Sequence, residues 1–250
     1  MTEIDHPQRI LHLEMSQNVR DLGGYMTADG TLTRWGRYVR AGDMDRLSEA
    51  DQHKLLGYGI GTVIDLRMKR EVQDAPNVFS GSDQVHFVIH DFWGDRFDDY
   101  RSWRKGAAPE QKLADLYCAG LVESGFVMAD IMHTLADSEG AVIFHCRSGK
   151  DRTGLVAALL LSVADVPRET ICADYALTAS QLISAEADTQ LDPHQPGYYL
   201  RGCAPETMAL TLEFLDKEFG GPVSYLKAQG VNDKCLNMIR DHLRGNDGAA

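Results

Sequence analysis

A strand, a polar loop and a helix follow one another over residues 141–163, and this unit limits the folds open to the chain. Ala141–Phe144 is a short apolar run typical of a buried strand, and Leu155–Val163 is a longer apolar run typical of a buried helix. The loop between them, residues 145–154, is mostly polar or glycine. We therefore expect a strand-to-helix turn whose backbone N–H groups lie at the positive end of a helix.

This loop has the composition of an anion-binding site. Turns of this kind bind phosphate, and the same helix dipole would hold Cys146 as a thiolate. Arg152 follows six positions later, and its planar guanidinium can grip two phosphate oxygens at once. A nucleophile, an oxyanion cradle and a bidentate clamp are what phosphoryl transfer to sulfur requires. The alternative for Cys146 is a buried structural cysteine ahead of a helix.

The other loop residues also suit a phosphate site. Gly149 permits backbone geometry closed to other residues, and the Thr153 hydroxyl can donate to the thiolate or cap the helix. Lys150 adds a second positive charge, so we expect it to bind substrate. We expect Arg147 and Ser148 to point outward and to bind substrate through their backbone N–H groups alone.

Two other kinds of loop are excluded by their spacing. A nucleotide-binding P-loop needs Gly four residues before Gly-Lys and Ser or Thr after it, but Phe144 and Asp151 occupy those places. A zinc site needs Cys or His at paired spacings, and no second close pair follows His145 and Cys146.

The filled motif, His-Cys-x5-Arg-Thr-Gly, resembles the signature of cysteine-dependent protein-tyrosine phosphatases. Its Gly-Lys-Asp-Arg-Thr-Gly portion is similar to that of the atypical bacterial PtpB-type phosphatases. Three upstream segments are also similar to that family and occur in the family's order: Asn18–Tyr25, Tyr38–Gly42 with Ala41 in place of Ser, and Val63–Arg67 followed by Glu71.

The resemblance implies an enzyme that hydrolyses phosphotyrosine and often phosphoinositides, with phosphoserine and phosphothreonine as further possibilities, through a phosphocysteine intermediate. It implies no metal and no organic cofactor. It also implies that His145 orients the loop instead of acting as a general base. A rhodanese-like sulfurtransferase or arsenate reductase, and a phosphate-recognition module without turnover, are the alternatives.

The general acid is open between several aspartates. The Trp-Pro-Asp tripeptide of classical tyrosine phosphatases is absent. Asp151, inside the loop and part of the PtpB-like pattern, is the first candidate. Asp91, which follows a predicted strand at Val85–Ile89, is the second, and Asp95 is a third. We interpret the charged pairs Arg20-Asp21 and Asp65-Arg67 as structural, because buried charges are usually paired.

Strands that alternate with helices predict an α/β fold with a mostly parallel central sheet flanked by helices. We expect one phosphatase domain over residues 1–245. It comprises an α/β core at 16–166 and a C-terminal helical extension at 167–245, and a disordered tail follows at 246–250. The extension includes a looser polar stretch at 185–202.

Charge and cysteine content restrict the partners and the compartment. The net charge of -12 argues against nucleic acid and against broad adhesion to anionic membranes. Five cysteines at irregular spacing indicate a reducing compartment and not a disulfide framework. No signal peptide or membrane span is read, so we expect a cytoplasmic protein without stable membrane insertion. The expected partner is a phosphorylated protein or phosphoinositide, and the oligomeric state is left open.

Overall fold

The computed structural model describes residues 6–94, 108–182 and 202–245. These residues form five strands and nine helices. The strands are β1 (Arg20–Asp21), β2 (Tyr38–Ala41), β3 (Ile60–Asp65), β4 (His86–Ile89) and β5 (Ala141–His145). The helices are α1 (Glu49–Gly57), α2 (Lys69–Asp74), α3 (Pro109–Glu123), α4 (Gly125–Asp137), α5 (Asp151–Val163), α6 (Arg168–Gln181), α7 (Pro205–Phe219), α8 (Pro222–Ala228) and α9 (Asp233–Arg244).

The strands form one sheet in the order β1-β2-β5-β3-β4. Only β1 runs antiparallel to its neighbour, so the predicted mostly parallel α/β sheet is confirmed. The register aligns Ala41, His145 and Asp65 at the carboxyl ends of three adjacent parallel strands. The loop after β5 therefore leaves the sheet at its centre, at the edge where α/β folds bind ligands.

Local sequence signals determine several helix ends. Ser48 and Asp51 form a capping box that opens α1. A break at Ser124 separates α3 from α4. Gly220, with φ of 78°, ends α7 in the left-handed conformation that glycine adopts readily.

The helices after residue 167 pack on the same core as the sheet. Leu212 of α7 and Ile239 of α9 belong to the same buried cluster as Phe144 and Leu160. A smaller cluster on the other face of the sheet includes Leu55 of α1. The predicted loose stretch at 185–202 lies almost wholly outside the described residues, and the predicted tail at 246–250 lies wholly outside them. In the described part of the chain, no helix is long and apolar enough to cross a bilayer.

Candidate active site

Cys146 lies at the carboxyl edge of the sheet, next to residues of the loop that line a pocket. It directly follows β5, and only 1% of its surface is exposed. Helix α5 begins five residues later, so the intervening backbone turns over the helix N-terminus. The pocket has a volume of about 890 Å³, and its lining includes Arg147, Ser148, Asp151 and Arg152. The structure thus brings these four predicted loop residues together around one cavity, while Cys146 lies buried beside Arg147 and does not itself line the cavity.

Two upstream segments, around Asn18 and around Arg40, bind the backbone of the loop at residues 145–154. The Asn18 side-chain amide donates to the carbonyl oxygens of Ser148 and Gly149, each at 2.9 Å. Arg40 Nη2 donates to the same Gly149 oxygen at 2.7 Å. Gly149 has a φ of +67°, and a Cβ there would lie 2.6 Å from the carbonyl oxygen of Ala41. Glycine at this position lets the loop lie directly on β2.

A buried ion cluster fixes this support. Asp174 on α6 accepts from Arg20 Nε at 3.0 Å, from Arg40 Nη1 at 2.6 Å and from the Tyr25 hydroxyl at 2.8 Å. Burial disfavours the Asp174 carboxylate, but the two guanidinium groups outweigh it and hold the pKa of Asp174 well below its usual range. The expected Arg20-Asp21 pair is therefore wrong: Arg20 pairs with Asp174, while Asp21 accepts from a tyrosine hydroxyl and two backbone N–H groups. Sequence neighbours on a strand point to opposite faces of the sheet.

His145 is fully buried, and both of its ring nitrogens are engaged. Its Nε2 lies 2.8 Å from the Asn77 side-chain amide and 3.5 Å from Asp65 Oδ2. Its Nδ1 lies 3.0 Å from the carbonyl oxygen of Cys146. Burial opposes the Asp65 charge, yet His145 and Arg67 hold the pKa of Asp65 below its usual range. The Asp65-Arg67 pair is present as predicted. This geometry favours an orienting His145 over a general base.

Arg152 is oriented by a carboxylate that the sequence reasoning left without a role. Its Nη1 and Nη2 donate to the two oxygens of Glu71 at 2.5 and 3.0 Å. Its guanidinium carbon lies 5.1 Å from the ring centre of Trp93. Burial disfavours the charge, but the Cys146 thiol and Glu71 raise the pKa of Arg152 above its ordinary value. Its buried Nε has no partner among the described residues, so this N–H can still bind an oxyanion.

The two leading candidates for the general acid have different surroundings. Asp151 lines the pocket, and its Oδ1 accepts from the Tyr117 hydroxyl at 2.5 Å. Asp91 accepts from the backbone N–H groups of Lys69 at 3.1 Å and Gly94 at 2.8 Å, and it does not line this pocket. Its carboxylate stabilises a turn. The third candidate, Asp95, lies outside the described residues.

The remaining loop side chains differ in direction. Arg147 is exposed at the rim of the pocket. Lys150 is 4% exposed; its ammonium donates to the carbonyl of Gly202 at 3.2 Å and lies 3.4 Å from Asp151 Oδ1. The Thr153 hydroxyl is buried without a partner in the described part of the chain. No group of three or more His, Cys, Asp or Glu side chains among the described residues could hold a metal ion.

The other cysteines differ from the nucleophile candidate in position. Cys172 and Cys235 are buried on helices, and burial raises the pKa of each thiol to about 11. Cys118 is half-buried on α3. Cys203 lies in the coil before α7.

A cysteine loop at the centre of a parallel sheet, with an arginine at the start of the following helix, defines a phosphatase-like α/β fold. Residues 11–245 match the model of the tyrosine phosphatase family, so the chain belongs to that family and is a phosphatase. Three curated relatives agree with this assignment. The first is a tyrosine-protein phosphatase of Nostoc commune, which is 29% identical over 82% of this chain and 74% of its own length.

The second relative is the triple specificity protein phosphatase PtpB of Mycobacterium tuberculosis, which is 27% identical over 91% of this chain and 96% of its own. A putative tyrosine-protein phosphatase of Cupriavidus necator is 32% identical over 66% of this chain and 61% of its own. The resemblance to PtpB-type phosphatases is thereby confirmed.

Proposed function

We propose that the chain hydrolyses phosphotyrosine, and in addition phosphoserine, phosphothreonine and phosphoinositide monoesters, through a phosphocysteine intermediate. The observation that supports this most is the loop after β5: Cys146 lies buried where the strand ends, and Asp151 and Arg152 of the same loop line one pocket. The names of the relatives support protein substrates, and one of them is a triple specificity enzyme.

In the first step, the Cys146 thiolate attacks phosphorus in line with the ester oxygen. The S–P bond forms as the P–O bond to the leaving group breaks, and the protonated Asp151 carboxyl gives its proton to that oxygen. Arg152 and the loop N–H groups stabilise the equatorial oxygens, whose charge grows in the transition state. Glu71 keeps the Arg152 plane fixed, so little reorganisation is needed when phosphate enters.

In the second step, water attacks the phosphocysteine. The new O–P bond forms as the S–P bond breaks, Asp151 takes the proton from the water, and Cys146 leaves as a thiolate. Inorganic phosphate is the product. We assign the stabilisation of the returning thiolate to the Thr153 hydroxyl, which is buried and has no partner among the described residues.

The remaining predicted contacts belong to substrate binding. Arg147, Ser148 and Gly149 offer backbone N–H groups, and Arg147 adds a positive charge at the rim. Lys150 stays a predicted substrate contact, although its ammonium here faces Asp151 and Gly202. A cytoplasmic location and the absence of a nucleic-acid partner also stay predictions.

The mechanism is tested with Cys146→Ser and the matched control Cys172→Ser. A serine hydroxyl stays protonated at neutral pH, so Cys146→Ser should release no phosphate from p-nitrophenyl phosphate, while the control keeps the parental rate. Measurable turnover by Cys146→Ser would contradict the covalent mechanism. Cyanide-dependent turnover of thiosulfate without phosphate release would favour the sulfurtransferase instead, and phosphate binding without any turnover would favour the recognition module.

The acid is tested by comparing Asp151→Asn with Asp91→Asn on aryl phosphates whose phenols differ in acidity. A very acidic phenol needs little proton donation, so Asp151→Asn should slow poor leaving groups most. Asp91→Asn should leave this dependence unchanged because its carboxylate already accepts two backbone N–H groups. A steeper dependence in Asp91→Asn alone would transfer the role to Asp91.

A further inference from the structure

Two buried tyrosines form a hydrogen-bonded chain that ends on the candidate acid, Asp151. Tyr117 of α3 donates its hydroxyl proton to Asp151 Oδ1 at 2.5 Å, and its oxygen lies 2.8 Å from the hydroxyl of Tyr175 on α6. The exposed fractions of Tyr117 and Tyr175 are 0% and 1%. Because Tyr117 gives its one proton to Asp151, the proton between the tyrosines must come from Tyr175. The two hydroxyls therefore form a directed chain that ends on Asp151.

This chain engages one oxygen of the carboxyl group and not the other. Oδ1 accepts from Tyr117, and the Lys150 ammonium lies 3.4 Å from the same oxygen. Oδ2 accepts no hydrogen bond from the described residues. A carboxyl proton on Oδ1 would compete with two donors, so the proton belongs on Oδ2.

The hydroxyl groups of Tyr117 and Tyr175 keep their protons at neutral pH. Burial, and then the Asp151 charge, raise the pKa of Tyr117 well above its ordinary value, and the same causes act on Tyr175. The other charged or titratable groups that face this chain are Lys150, Arg152, Arg40 and the Cys203 thiol.

We propose that Tyr117 is a positioning residue for the general acid: it fixes Oδ1 of Asp151, so that the proton sits on Oδ2. Tyr175 orients Tyr117 in turn. The inference rests on the proposed role of Asp151 and assigns a task to two side chains that do not line the pocket.

The test is Tyr117→Phe, which removes the hydroxyl and keeps the ring in place. The matched control is Tyr225→Phe, because Tyr225 is also fully buried and also donates to α3, at the carbonyl of Leu121, 2.8 Å away. On aryl phosphates with poor leaving groups, Tyr117→Phe should lower kcat by roughly tenfold, the rate equivalent of one lost hydrogen bond. On phosphates of very acidic phenols it should change kcat little. Tyr225→Phe should leave the leaving-group dependence at the parental value.

The pH dependence of kcat/KM distinguishes a positioning role from a structural one, because loss of a merely structural tyrosine would not shift it. A hydrogen bond to the carboxylate favours its charged form, so its loss should shift the basic limb of kcat/KM for a poor leaving group to higher pH. The proposal would be overturned if Tyr117→Phe lowered kcat equally for all leaving groups, left the basic limb of the pH profile unshifted and lowered the thermal stability.

Failure of this inference differs from failure of the proposed function. If Asp151→Asn itself lacks a steeper leaving-group dependence, the acid assignment is wrong. If Asp151→Asn shows it and Tyr117→Phe does not, only the positioning role is wrong. In the double variant Tyr117→Phe/Asp151→Asn, the Tyr117→Phe change should lower kcat on poor leaving groups no further. The carboxyl proton that Tyr117 orients is already absent from this variant.

Discussion

Replacing Asp174 by Asn should destabilise the fold far more than a typical surface change. Asp174 accepts three hydrogen bonds from Arg20, Arg40 and Tyr25, and its side chain is 2% exposed. The variant would leave two buried guanidinium groups without a counter-charge, and breaking a buried pair in this way costs about 3–5 kcal/mol. Asn still accepts hydrogen bonds, so we expect about 3 kcal/mol, near the lower end of that range.

The assay is urea unfolding at pH 7, with Asp216→Asn as the matched control. Asp216 pairs with Arg168 on the surface, where the two side chains are 43% and 41% exposed, and this pair should contribute less than about 1 kcal/mol. The lowered pKa of Asp174 means that its contribution is complete at neutral pH and is lost only as the pH falls through and below 3.8. Equal free energies of unfolding for the two variants would refute the reasoning.

Three further outcomes follow from the structure. Glu71→Gln should raise KM several-fold, with a smaller change in kcat, because Arg152 keeps its charge but loses its bidentate partner; an unchanged KM would contradict this orienting role. Gly149→Ala should abolish most activity while secondary structure by circular dichroism is retained, since a Cβ would lie 2.6 Å from a backbone oxygen of β2; full activity would contradict the fit of the loop on the strand. Away from the site, Nδ1 of His242 on α9 lies 2.8 Å from Nη2 of Arg37, just before β2. Burial and Arg37 lower the pKa of His242 to about 4, so the free energy of unfolding should fall as the pH drops from 6.5 towards 4. His242→Gln should flatten that part of the pH dependence, and an unchanged slope would contradict the assignment.

Much of the fold follows from local sequence signals. The apolar runs at Val85–Ile89 and Ala141–Phe144 predicted β4 and β5, and the run at Leu155–Val163 predicted α5. These signals act over a few residues, so they can be identified without the partners of each element. The loop residues were found for the same reason, because Cys146 through Arg152 are contiguous.

The contacts that the sequence did not predict join residues far apart in the chain. Arg20 was predicted to pair with its neighbour Asp21, but its partner is Asp174, 154 residues away. Tyr117 meets Asp151 across 34 residues, from a helix whose apolar periodicity predicts packing alone. Glu71 belongs to a segment that is similar to the family, and its spacing from Arg67 was a signal that could have marked it as a candidate site residue. That spacing does not show that Glu71 pairs with Arg152.

The phosphocysteine intermediate is the central claim, and trapping it is the most direct measurement. The enzyme is mixed with the phosphate of a very acidic phenol, the reaction is quenched within the first turnovers, and the digested protein is mapped by mass spectrometry. Asp151→Asn is used in parallel, because the release of such a phenol needs little proton donation and only the hydrolysis of the phosphocysteine should be slowed. We predict one phosphate adduct, on the peptide that contains Cys146, and more of it in the Asp151→Asn variant. Phosphate release during active turnover with no adduct on Cys146, or with the adduct on another residue, would contradict it.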